Sequence, residues 1–172
     1  MKQELQIVPS PIAYPRVACE MDVTGRRIAS APASPGVVAE CVSGVLTRNG
    51  AVLVEKRRAD DEADPGLTLL PGGHVEPEES LDQALKREMR EELGIRVEKT
   101  TPLRVRRYTA SNGERQRIHY FHIIAWKGRI RSREAETVYW ESEIRNLSDA
   151  IERRIARRLL GRRKTNSYDK TK

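Results

Sequence analysis

Cysteine is nearly missing from this chain of 172 residues: only Cys19 and Cys41 occur, in no spacing that suits zinc or dithiol exchange. That excludes a disulfide scaffold and points to a reduced, cytoplasmic setting. Long apolar runs are missing as well. None approaches the roughly 20 residues that span a bilayer, and the opening MKQELQIVPSPIAYP lacks the apolar core of a secretory leader. No membrane partner is expected. Internal repeats are absent, which sets solenoids aside. Surplus charge is absent from most of the chain too. The net charge is +7, yet residues 145–172 hold ten Arg/Lys against three Asp/Glu, leaving 22 against 22 elsewhere. The basic character therefore describes the C-terminal end, while the body is neutral.

What is present reads as one domain with extensions. Prolines at 9, 11, 15, 32 and 35 exclude long helices from residues 1–36, an irregular N-terminal extension with short extended pieces expected at 17–23 and 26–30. Order begins near Val37. Residues 37–48 read as a strand, Asn49-Gly50 as a hairpin turn, and 51–57 as the returning strand. A polar loop, 59–66, leads to a short apolar strand at 67–73 that ends in a sharp turn. Ser80 is placed to cap a helix, Gln83 completes a capping box, and Leu81 to Leu93 contains no Gly or Pro before Gly94 stops it. Strands follow at about 96–109 and 116–126, with a short one at 137–141. Ser148 is placed to cap a last helix that Gly161 ends. The organised domain is thus 37–161, with 162–172 a basic, frayed tail.

The helix poses the chemical question. On a wheel of ~100° per residue with Glu88 at zero, Leu81, Leu85, Met89 and Leu93 fall near ~20°, ~60°, ~100° and ~140°. Glu92 falls at ~40°, inside that apolar stripe, and Glu91 at its margin. A helix with a solvated acidic face would place these glutamates opposite the leucines. An Arg87–Glu91 salt bridge accounts for one of them, not for two within the stripe. Carboxylates drawn out of water need a cation. Three on adjacent turns suit a hard divalent ion with oxygen ligands, Mg²⁺ or Mn²⁺.

Gly73, Glu79 and the run Arg87-Glu88-Met89-Arg90-Glu91-Glu92-Leu93-Gly94-Ile95 together resemble the signature of the Nudix hydrolase family. All nine constrained positions match, a coincidence on the order of one in a billion at any given start. The pattern resemblance runs from about Val37 to Leu147. It implies an α/β fold, an α/β/α sandwich with a mixed β-sheet. It also implies metal-dependent hydrolysis of a nucleoside diphosphate linked to another moiety, such as ADP-ribose or a (d)NTP. Carried over by position, Glu88 and Glu92 are the main metal ligands, Glu91 a third ligand or the base, and the Gly73 carbonyl a further ligand. Glu79 and Arg87 are structural, and Gly94 lets the chain turn. Family members add a glutamate from a later loop, for which Glu134 and Glu136 stand equal and Glu114 is a third candidate. Arg57 and Arg58 resemble arginines that reach substrate phosphates, with two surface arginines as the plain alternative. Thr68 replaces the bulky aromatic that many members carry three residues before the Pro of the glycine turn.

His74 reads as a variable solvent-facing position. His119 and His122 read as satisfied sheet residues, with Ile118, Tyr120, His122, Ile124 and Trp126 on one face of their strand. Tyr120 and Trp140 read as packing residues, with base stacking as the alternative. The arginines of the last helix, at 153, 154, 157, 158, 162 and 163, form a basic surface. Two other functions stay open. One is cleavage of RNA 5′ ends (cap or triphosphate) held by that helix, with nucleic acid as partner. The other is a non-catalytic nucleotide-binding regulator. A homodimer is open as well.

Overall fold

The computed structural model describes residues 38–165, with side chains to Gly161. The readings for residues 1–36 and for the end of the tail lie outside the described residues. The elements are β1 (Ala39–Arg48), β2 (Ala51–Lys56), β3 (Thr68–Leu69), β4 (Gly72–His74), α1 (Leu81–Leu93), β5 (Arg96–Thr109), β6 (Arg115–Lys127), β7 (Thr137–Glu141) and α2 (Ala150–Thr165). The strands make a mixed sheet of order β3-β2-β1-β6-β5, with β4 paired to β1 and β7 to β2. β1 and β6 run parallel and the other pairs antiparallel.

Strand alternation assigns each face to one helix. Val42, Leu46, Leu53 and Ile123 pack with Leu85, Met89 and Leu93 of α1. Val45, Val52, Val54 and Tyr120 pack with Ile155, Ala156 and Leu159 of α2. The result is an α/β/α sandwich. Gly44 lets α1 lie close, since a Cβ there would sit 2.7 Å from Ile123 Cδ1 and 2.8 Å from Met89 Sδ. The β1–β2 hairpin turns at Asn49 (φ 50°) and Gly50 (φ 80°), the pair of positive angles its two-residue turn requires. Among the described residues, no helix is long and apolar enough to cross a membrane.

Four expectations need correction. The strand expected at 67–73 is two short strands separated at Pro71, whose carbonyl instead accepts from Gly44 N at 2.9 Å. Asp149, not Ser148, caps α2: its Oδ1 accepts from Ile151 N at 2.8 Å and Glu152 N at 2.9 Å, while Ser148 Oγ accepts from Thr68 N. α2 runs through Gly161 to Thr165, because glycine inside a helix costs only about 1 kcal/mol. Trp126 faces α1 rather than sharing the face of Ile118 and Tyr120. The register slips where Ala125 faces Lys99 but Ile123 faces Thr100. Ile124 is thus an extra residue, itself 45% exposed, that reverses the facing of Ala125 and Trp126.

Under α2 lies a buried carboxylate. Glu152 Oε2 accepts from Leu70 N at 2.9 Å and Oε1 from Tyr120 Oη at 3.3 Å. Burial pushes its pKa up to about 8. The native state therefore holds a proton that the unfolded chain releases near its ordinary range, so this group's contribution falls as pH rises from about 4.5 to 8. Glu152→Gln can keep both contacts, its oxygen accepting from Leu70 N and its amide N–H donating to Tyr120 Oη, and it cannot ionise. Its melting temperature is expected to match that of the parent at pH 5 and exceed it at pH 9, as differential scanning calorimetry across that range will show.

Candidate active site

The site is assembled around α1. Ser80 Oγ accepts from Gln83 N, and Gln83 Oε1 accepts from Ser80 N at 2.8 Å, so the capping box fixes where the helix begins. Gly94, at φ 69°, ends it and donates its N–H to Arg90 O. These two local signals set the ends of the helix, and packing of its apolar stripe on the sheet sets its rotation. The stripe that buries Leu85, Met89 and Leu93 then also buries Glu88 at 7% exposure and Glu92 at 6%.

Arg87 organises the near end. Its Nε and Nη2 donate to the two oxygens of Glu79, both at 2.9 Å, and Nη2 also donates to His74 O at 2.7 Å. Nη1 donates to Glu88 Oε1 at 2.6 Å and Glu91 Oε2 at 3.1 Å. One guanidinium thus joins the loop after β4 to three carboxylates. Hydrogen bonding to Arg87 holds Glu79 below the usual carboxylate range. Glu88 is pushed up by burial, with Arg87 opposing.

Glu92 is the deeper acid. Its Oε2 is buried without a hydrogen-bond partner among the described residues. Burial, then the charges of Glu55, Glu88 and Glu134, raise its pKa well above the ordinary value. A buried, partnerless carboxylate oxygen beside further carboxylates is the donor chemistry of a hard-cation site. The glycine turn fits the same use. β4 pairs Gly73 with Val42, and a Cβ on Gly73 would lie 2.5 Å from the Glu88 carboxyl carbon. Among the described residues no three acidic, thiol or imidazole groups already converge on one point. Arg87 holds Glu88 by Oε1.

Gly73→Ala tests this packing. The Glu88 side chain can swing aside, so the fold is expected to survive with a small loss of stability. Any activity that needs Glu88 in place should fall about tenfold or more. Denaturant melts beside rate measurements separate the two effects.

The structure also separates the three later glutamates. Glu136 pairs with Lys56 at 3.2 Å, and Glu114 with His74 at 3.0 Å. Glu134 is the one whose charge acts on Glu55, Glu88 and Glu92. Its loop is tied to the end of α1, where Arg131 N and Arg133 N donate to Leu93 O and Glu92 O. Arg57 reaches Asp61 at 3.1 Å, and its charge is felt at Glu55 and Glu92. Arg58 is exposed, pairs with Asp60, and lines an open depression of about 340 Å³ with Ala135 and Glu136. His119 meets Glu40 at 2.7 Å and His122 meets Thr47 at 3.4 Å. Tyr120 is buried, and Arg48 lies over the Trp140 ring at 4.5 Å.

Glu55 was missed in the sequence. It is 4% exposed on β2, and burial raises its pKa. Glu55 shares strand parity with Leu53, and its place follows only once Leu53 is seen to pack on α1.

Comparison with known proteins bears on this arrangement. The NUDIX domain family model matches residues 38–160, beyond Leu147 and through most of α2. The CTP pyrophosphohydrolase of Escherichia coli K12 is 35% identical over 106 residues, 59% of this chain and 73% of that one. Nucleoside triphosphatase NudI of Enterobacter sp. is 36% identical over 91 residues, 48% of this chain and 63% of that one, less than two thirds of its length. The crystal structure of a MutT NUDIX hydrolase from Burkholderia pseudomallei aligns with a TM-score of 0.61 and 28% identity, covering 70% of this chain and 96% of that one.

Proposed function

The chain belongs to the Nudix hydrolase family, and from that premise we propose that it hydrolyses a nucleoside triphosphate to the monophosphate and pyrophosphate with the help of a divalent cation. In the reaction the water oxygen bonds to phosphorus, a bridging P–O bond breaks, and the water's protons pass to the base and the products. The observation that carries the reading is the partnerless, buried Glu92 Oε2 set among Glu88 and Glu134. The choice of nucleoside triphosphate rests on the two relatives named for such activities.

Bound Mg²⁺ or Mn²⁺ would neutralise phosphate oxygens and make water a better nucleophile. Glu88, Glu92 and the Gly73 carbonyl would hold it, with Glu134 approaching from the loop tied to α1. Arg87 restrains Glu88 and Glu91 and anchors Glu79, so the loop and the helix keep one geometry. Glu91 is the more exposed carboxylate, its side chain 34% accessible, and would take the proton of the attacking water. Arg57, beside the carboxylates, offers a guanidinium to substrate phosphates. The exposed arginines of α2 lie across the sheet from α1, which gives the RNA-end reading no geometric support.

The test is a panel of nucleoside triphosphates, ADP-ribose, dinucleoside polyphosphates and nucleotide sugars with Mg²⁺, run beside Glu88→Gln and Glu92→Gln. Triphosphates converted to monophosphate and pyrophosphate, with both variants impaired, is the expected result. Turnover of nothing in the panel would favour a binding regulator instead, and full turnover by both variants would overturn the site.

A further inference from the structure

We propose that Glu55 shares the cation with Glu92, so that the site takes a ligand from the sheet as well as from the helix. The inference rests on the function proposed above and assigns a residue to it that lies outside the Nudix signature. Glu55 occupies the face of β2 that carries Leu53, and Leu53 packs with Leu85, Met89 and Leu93 of α1. Its carboxylate therefore enters the layer between sheet and helix, where Glu92 comes down from the opposite side. Both residues are more than nine-tenths buried, and Glu92 Oε2 has no hydrogen-bond partner among the described residues.

Among the described residues, no ladder neighbour offers Glu55 a charge or a side-chain hydrogen bond. Its ladder neighbours are Leu69 on β3 and Val138 on β7, both apolar. The arginine whose charge reaches it, Arg57, is bonded to Asp61 at 3.1 Å and to Ala63 O at 3.4 Å. Adjacent Lys56 is paired with Glu136. Glu134 adds a third acid from the loop. An apolar residue would make a better-packed β2 at this position, since burying one carboxylate against another is unfavourable. A hard divalent ion bridging Glu55 and Glu92 removes that cost, and its preference for several oxygen ligands gives Glu55 a use.

The test measures the ion directly. Mn²⁺ is titrated into the wild type, Glu55→Gln and Glu92→Gln by calorimetry, with free Mn²⁺ counted by electron paramagnetic resonance. Melting temperatures are taken in chelator and in saturating Mn²⁺. Glu55→Gln is expected to bind Mn²⁺ at least about tenfold more weakly. It should also melt higher than wild type in chelator and lose much of the rise that Mn²⁺ gives the wild type. Wild-type affinity in Glu55→Gln together with impaired Glu92→Gln would overturn the role of Glu55 and leave the proposed function standing. Wild-type affinity in both would overturn the two together. Glu55→Asp keeps the charge on a shorter stem. Weakened Mn²⁺ binding in that variant, with a chelator melting temperature like that of wild type, supports a ligand role. Unchanged binding opposes it.

Discussion

Glu92→Gln is expected to lower kcat by about 10²–10³-fold and, in the same variant, to raise the melting temperature of the cation-free protein. The first effect follows from losing an anionic ligand of the cation that would neutralise the reacting phosphates, in a site with little water where such stabilisation commonly carries that factor. The second follows from the same burial. Glu92 is 6% exposed with Oε2 unpartnered, and Glu55, Glu88 and Glu134 all repel its charge. Glutamine has the same shape and no charge. A structural acid would behave differently, with replacement costing stability and activity in proportion. Steady-state rates and thermal melts on one preparation read both numbers.

The largest loss of stability is expected at Arg87. Arg87→Ala leaves Glu79, Glu88 and Glu91 without the guanidinium that bonds all three, and His74 O without its donor. Stranding partly buried charges in this way costs about 3–5 kcal/mol. Urea unfolding at neutral pH should show it as a drop in the midpoint. Arg87→Lys should recover only part, because an ammonium cannot span the two oxygens of Glu79 and still reach the others. Glu79 sits below the usual carboxylate range because of Arg87, so the pairing stabilises the fold above that range and is lost as pH falls through it. The gap between wild type and Arg87→Ala should accordingly shrink in acid.

How much of this was legible in the sequence depends on the range of the interaction. The bounds of α1 were readable because Ser80, Gln83 and Gly94 act within a turn of the residues they cap. The inward turn of Glu88 and Glu92 was readable because a helix carries its own angular scale. Glu55 was not found, since a lone acid in a short strand acquires meaning only when its face is known to meet α1. Glu134 and Glu136 could not be told apart either: the loop after β6 is placed by Arg131, Arg133 and Glu136 bonding to α1 and β2, contacts made across the fold. The bulge at Ile124 defeated a strict two-residue period in the same way. It is set by a slip against β5 that β6 does not announce.

The central claim is that acids turned into the protein from α1 grip a divalent ion. Crystals grown with Mn²⁺ and a non-hydrolysable nucleotide, with data collected at the manganese absorption edge, address it most directly. The account predicts an anomalous peak about 2.0–2.3 Å from oxygens of Glu88 and Glu92, with a phosphate oxygen on the same ion. Density showing both carboxylates still buried, the nucleotide bound, and manganese either absent or held elsewhere would contradict it.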